Sequence, residues 1–380
     1  MRRTRQAIGF LILSTSLLVS CHRSEPQSAQ SPVIDKIPPA GVLNLFWWSD
    51  FMASDTVSNF EKETGIKVNV SYYDSEETLE TRMLTGNSGY DVVDPAAPYF
   101  FQRQIRSGAY LALDKSKLPN LAHMDPAIMA RIAQVDPDNA HGTVYTWGTI
   151  GIGYNPDKVA LVLPHAAMNS WRVIFDPTSA SQLAKCGIQL LDSPAEVVTL
   201  VLRYLGKNPD STAPEDFEAV SKILMAIRPY VRNIDTSSYL EAIANGDVCV
   251  VVGYNGDFIQ ARRRATAAKN GVQIAYSMPD EGSLVYFNIV AIPRDAPHPD
   301  NAHRFLNYLM RPQVITEITN FVGYPNANTD ALPLIETAIA KDTTTYPTPA
   351  QRARLFVRTE DTPEQARVIT RLWQKFKAGQ

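Results

Sequence analysis

Between Leu43 and Val93 the apolar period switches from two to about 3.6 and back, twice, with short breaks between. That rhythm restricts the fold more than any other feature of the chain. Leu43 and Leu45 flank Asn44 as in a half-buried strand, and Val57, Phe60 and Thr64 share one face of a helix that Gly65 stops. Ile66, Val68, Val70 and Tyr72 alternate again; Ser75 opens a helix carrying Leu79, Met83 and Leu84, which ends at Gly86. Tyr90–Val93 reads as a short buried strand cut off at Asp94-Pro95. A β-α-β-α-β order with short connections predicts an α/β fold with a parallel, doubly wound sheet. In such sheets ligands bind beyond the carboxyl ends of the strands. There the first strand delivers Trp48, Ser49, Asp50 and Phe51 together. An aromatic face beside a carboxylate suits an organic cation: the ring quadrupole attracts the charge and the carboxylate takes the N–H groups. The competing reading of the stretch is a core Trp pair followed by a helix-capping Asp.

The pattern repeats further on. Gly148-Thr149-Ile150-Gly151-Ile152-Gly153 has neither nucleotide-loop spacing and suits a strand crossing between two lobes. A second α/β unit begins near residue 155. Ser193-Pro194-Ala195-Glu196 opens an apolar helix, so Glu196 is either a capping-box residue or a ligand. The strand Val248–Val252 empties into Gly253-Tyr254-Asn255-Gly256-Asp257, again an aromatic and a carboxylate after a strand. Val285–Pro293 reads as another crossing strand, followed by helices at 301–309 and 313–320 and a turn through Tyr324. The expected organisation is lobe I from 41–148 with 278–322, and lobe II from 149–277 with 323–380.

Arg2, Arg3 and Arg5 precede a short apolar run, so residues 1–20 read as a signal peptide. Leu18-Val19-Ser20-Cys21 resembles a bacterial lipobox, which would make Cys21 the lipidated first residue; ordinary cleavage nearby is the alternative. Residues 21–40, rich in Ser, Pro and Gln, read as a tether. With Cys21 so assigned, Cys186 and Cys249 remain, either paired in an oxidising compartment or buried as free thiols. The net charge of −3 carries no nucleic-acid footprint, and loss of the signal's three Arg leaves the mature chain more acidic still, which favours cationic ligands.

Trp48-Ser49-Asp50, Asp55-Thr56-Val57, Phe60 to Val68, Leu113 to Pro119, Gly151 to Asn155, Ala244 to Cys249 and Phe305 to Leu309 resemble, in order, segments of the periplasmic putrescine- and polyamine-binding proteins of bacterial ABC importers. The resemblance runs from about residue 43 to the C-terminus. It implies a type II periplasmic-binding-protein fold, two α/β lobes joined by crossing hinge strands, with a Cys186–Cys249 disulfide. It also implies a polyamine held between the lobes, a membrane permease and its ATPase as partners, a periplasmic location anchored through Cys21, and a monomer without cofactor or metal. The family's ligand residues carry over to Trp48, Ser49, Asp50, Glu196, Tyr254, Asp257, Tyr286 and Tyr324. Departures fall at Phe51, where the family has Tyr; at Ala96, near the family's Ser; at Tyr254, in place of Trp; and at Asn288, in place of Asp. A neutral acceptor at 288 should weaken a diamine by roughly 1–2 kcal/mol, and with Phe51, Ala96 and Tyr254 this points to a longer polyamine, or a monocationic or guanidino amine.

An amine-modifying enzyme would need a metal, a flavin or an activated nucleophile. The six His are scattered, without H-E-x-x-H spacing, and no G-x-S-x-G occurs. No catalysis is expected. A polyamine sensor would use the same clamshell as a transport protein and is the remaining alternative.

Overall fold

The computed structural model describes residues 41–379. The expected signal peptide, tether and lipidated Cys21 lie outside the described residues. Strand β1 (Val42–Trp48) pairs in parallel with β2 (Lys67–Tyr73) and with the short β3 (Val92–Val93). Helices Thr56–Thr64 and Glu76–Thr85 connect them. The first stops where Gly65 turns left-handed at φ 72°. The second starts where the Ser75 side chain accepts a hydrogen bond from the Thr78 N–H. The third strand is shorter than expected. After Asp94-Pro95 the chain re-forms as β4 (Ala96–Ala97), which runs antiparallel to a later strand, β10 (Ser283–Ala291).

Two long strands carry the architecture from one half to the other. β5 (Gly142–Tyr154) has 13 residues, about 40 Å of extended chain. Its first part pairs antiparallel with β10, and its last part with β8 (Val250–Tyr254) and β9 (Ala275–Ser277). β8 continues in parallel to β6 (Ile188–Leu190), and β6 to β7 (Val231–Ile234). The sheet order is therefore β2-β1-β3-β10-β5-β8-β6-β7, with β11 (Leu355–Phe356) also on β10. The glycines of β5 let rings lie flat on it: a Cβ at Gly153 would sit 1.8 Å from the Phe258 ring.

The buried apolar residues form two clusters. Leu43, Leu45, Phe60, Phe101, Val144, Trp147 and Phe305 belong to one. Ile150, Ile152, Trp171, Leu200, Phe258 and Trp373 belong to the other. The changeover within β5 falls between Trp147 and Ile150, so a single strand serves both cores. The chain after 322, expected wholly with the second lobe, divides. Tyr324, Ala327 and Ala331 pack into the first cluster, and the helix Pro363–Ala378 into the second. The turn after Gly323 leaves this short segment facing β5, where the Trp147 N–H bonds the Pro325 carbonyl, and that ties it to the first core. Cys186 and Cys249 form a disulfide, joining the approach to β6 with the approach to β8.

Candidate functional site

Strand ends from both halves converge where β5 passes from one core to the other. Trp48 is the last residue of β1, Tyr254 the last of β8, and Tyr286 lies inside β10. Glu196 is in the first turn of the helix Pro194–Tyr204, and Asp257 in the first turn of the helix Asn255–Ala268. Tyr324 follows the helix Pro312–Val322.

These side chains form a row of phenols with a carboxylate at either end. The Tyr254 hydroxyl donates to Glu196 Oε2 at 2.8 Å. The Tyr254 and Tyr286 rings meet edge to face, 5.2 Å between centroids. Beside Tyr286 lies the hydroxyl of Tyr324, which donates to Asp257 Oδ1 at 2.7 Å. Tyr239, unnoticed in the sequence, donates to the other oxygen of Asp257. Gly148 of β5 makes room for the row, since a Cβ there would come within 2.4 Å of the Tyr286 hydroxyl.

At each end of the row the field of a carboxylate from the first half of the chain is felt. At the Asp257 end this is Asp50. It takes the left-handed conformation at φ 54°, which Asp tolerates better than most residues. Its carboxylate is well exposed and lies 3.4 Å from the Arg264 guanidinium, which also pairs with Glu241. Asp50 was expected to bind ligand; in the structure its partner is Arg264. At the Glu196 end the counterpart is Glu76, the first residue of its helix and only 9% exposed. Its two oxygens accept from the Trp48 indole N–H at 3.3 Å and from the Ala96 N–H at 3.1 Å. Trp48 packs against Tyr73, whose hydroxyl donates at 2.7 Å to the fully buried Asp94.

Burial opposes ionisation of the carboxyls here. Burial pushes the Glu76 carboxyl up to about 8, and the charges of Glu77 and Glu196 push the same way against the two N–H donors. Burial likewise raises Glu196, opposed by the Ser193 and Tyr254 hydroxyls. Asp257 is raised by burial and by Asp50, and drawn back by the Tyr239 and Tyr324 hydroxyls and by Arg264. Desolvation of carboxylates with too few cations makes a site that a positively charged guest would relieve.

The remaining expected residues fall as follows. Glu196 does not complete a capping box, because the Ser193 side chain caps no helical N–H. Asn288 is buried, paired in register with Ala96 and Thr146, and accepts from the Thr146 hydroxyl at 3.4 Å. Ser49 is exposed and makes no hydrogen bond among the described residues. Phe51 places its ring 5.2 Å from that of Tyr324, so the missing hydroxyl leaves an apolar contact between elements. Glu76 is not singled out by the sequence reading, which has Ser75 open this helix. Its place just past the carboxyl end of β2 was the available signal, by the same rule that found Trp48.

Residues 55–348 match the profile of a family described as bacterial extracellular solute-binding protein. The chain is 44% identical over 339 residues to the putrescine-binding periplasmic protein PotF of Escherichia coli K12, covering 89% of this chain and 91% of that one. It is 38% identical over 338 residues to a putrescine/agmatine-binding protein of Pseudomonas aeruginosa, covering 89% and 92%. Among solved structures it is similar to a Listeria monocytogenes protein at TM-score 0.80 and 28% identity, covering 90% of this chain and 100% of that chain. It also shares the fold of the substrate-binding protein PotD of Streptococcus pneumoniae, at TM-score 0.76 and 24% identity, covering 90% and 99%.

Proposed function

The chain belongs to the bacterial extracellular solute-binding proteins and has their two-lobe α/β fold, and from that premise we propose that it binds a polyamine between its two halves and presents it to the permease and ATPase of an ABC importer. The two apolar cores are the lobes, and β5 and β10 are the crossing strands on which they hinge. The observation that carries the ligand class is the row Tyr254, Tyr286, Tyr324, ended by Glu196 on one side and Asp257 on the other. A flexible methylene chain with an ammonium at each end matches it: the rings take the methylenes and the carboxylates take the ammonium groups. The names of the relatives support the same class.

Trp48 and Phe51 extend the aromatic wall from the first lobe. Ser49 and Asn288 contribute at most neutral contacts. Asp50 acts at the rim: with Arg264 it spans the two halves and screens the entrance. The site works by binding, with no chemical step. The protein acts as a monomer in the periplasm, tethered through lipid on Cys21.

Titration calorimetry on the mature chain with putrescine, cadaverine, agmatine and spermidine, with glucose and glutamate as controls, tests the reading. At least one amine should bind at about 1 μM or tighter, near −8 kcal/mol, and neither control should bind. No heat with any amine would overturn it.

A further inference from the structure

The two ends of the site are not equivalent in charge. At the Asp257 end, Arg264 lies against Asp50 and Glu241 and lowers the charge that Asp257 faces. A single ammonium suffices there. At the Glu196 end, the charges of Glu77 and Glu196 bear on Glu76 and that of Glu77 bears on Glu196, and among the described residues none of the three is in an ion pair. The cation nearest in effect is Arg358, already committed to Asp361 and to the Thr199 hydroxyl. The other titratable groups that bear on Glu76 are Asp94, Tyr73 and Tyr110, and none of these is a cation.

Glu76 is also oriented. A carboxylate offers about four acceptor directions, and the Trp48 indole and the Ala96 N–H occupy one on each oxygen. The remaining directions are open to a donor from a guest. Because burial outweighs its two neutral donors, the carboxyl of Glu76 is pushed up and holds a proton that a cationic guest would displace into solvent.

We propose that Glu76 binds the ligand directly and, with Glu196, forms a two-carboxylate seat that selects a polyamine end carrying two positive charges, a terminal and an internal ammonium, over the single ammonium of a diamine. This rests on the amine-binding reading above. The seat places the preferred ligand among linear triamines. A guanidino amine brings a better fork of N–H donors but only one charge to that end, so it should gain less.

The experiment is a titration of the wild-type protein, Glu76→Gln and Glu76→Asp with spermidine, putrescine and agmatine at pH 7, in two buffers of different ionisation enthalpy. Wild type should prefer spermidine. Glu76→Gln should lose about tenfold or more for spermidine and about threefold or less for putrescine, the difference expected when one charged hydrogen bond is removed from one ligand only. Glu76→Asp keeps the charge but draws it back by one methylene, and should fall between. Spermidine binding to wild type should release a proton, seen as a buffer-dependent enthalpy, and Glu76→Gln should release less. If putrescine or agmatine is preferred, or both amines weaken equally in the Gln variant, the seat is refuted while amine binding stands. If no amine binds wild type, it is the function that fails. Should the Gln variant not fold, the wild-type preference and the Asp variant decide.

Discussion

Glu76 should make the empty protein lose stability as the pH rises, and the size of that loss can be worked out. Its carboxyl ordinarily titrates near 4.5, and burial moves it up to about 8. Below 4.5 it is protonated in both the folded and the unfolded chain and has no effect on the balance. Between 4.5 and about 8 the unfolded chain gives up the proton and the folded chain keeps it. The folded state then binds more protons, so the unfolding free energy falls as the pH rises. At about 1.4 kcal/mol per unit, the span from pH 5 to pH 8 is worth about 4 kcal/mol. Asp94, Glu196 and Asp257 are raised as well and tilt the curve the same way. They are present in both proteins, so the informative quantity is the difference between wild type and Glu76→Gln. Gln cannot ionise, although it offers one acceptor where Glu offers two and starts less stable at pH 5. Urea unfolding followed by circular dichroism at half-unit steps gives each free energy. The variant should gain on wild type by several kcal/mol across that range. Curves that stay parallel within about 0.5 kcal/mol would refute the claim that this carboxyl is desolvated and unpaired.

Asp257→Asn keeps the shape that Tyr239 and Tyr324 hold but removes the charge, and should weaken every diamine by about 2 kcal/mol or more, at least about thirtyfold by calorimetry. Asp50→Asn should cost no more than about fivefold, because an exposed pair contributes about 1 kcal/mol at best; a loss equal to that of Asp257→Asn would make Asp50 a ligand residue. Asn288→Asp should tighten putrescine about five- to thirtyfold, and an unchanged affinity would show that this buried side chain does not reach the ligand. Replacing Cys186 and Cys249 together by Ser should cost about 4 kcal/mol of stability in the chain-entropy account, given their sequence separation of 63, with no change in which amine is preferred.

What the sequence made legible, and what it hid, follows from how far each signal reaches along the chain. Periods of two and 3.6 are local, so the strands and helices from Val42 to Thr85 stand nearly where the pattern puts them. The rule that ligands gather past strand ends is also local; it points to Trp48, Tyr254 and Asp257, and the fold does place these at the ends of β1 and β8 and in the helix turn that follows. What escapes is set by partners far away in sequence. Asp50 reads as a ligand carboxylate, and nothing local announces the Arg264 guanidinium, 214 residues on, that lies beside it. Tyr324 reads as lobe II because its contact with the first core forms only when the chain doubles back onto β5.

Glu76 shows the difficulty most plainly, because its local reading is correct and incomplete. An acid at the first position of a helix is favoured by the free N–H groups and the positive end of the helix dipole, so the residue needs no further explanation in the sequence. Yet a helix that starts directly after a strand has its first turn at the rim where ligands gather. The same backbone that makes Glu acceptable there also brings it onto the Trp48 indole and the Ala96 N–H, within the field of Glu196 on the opposite half. Capping and binding therefore do not compete at such a position. The helix terminus alone does not offset the burial of Glu76, which is why its carboxyl is pushed up to about 8 and why a cation beside it would be stabilising.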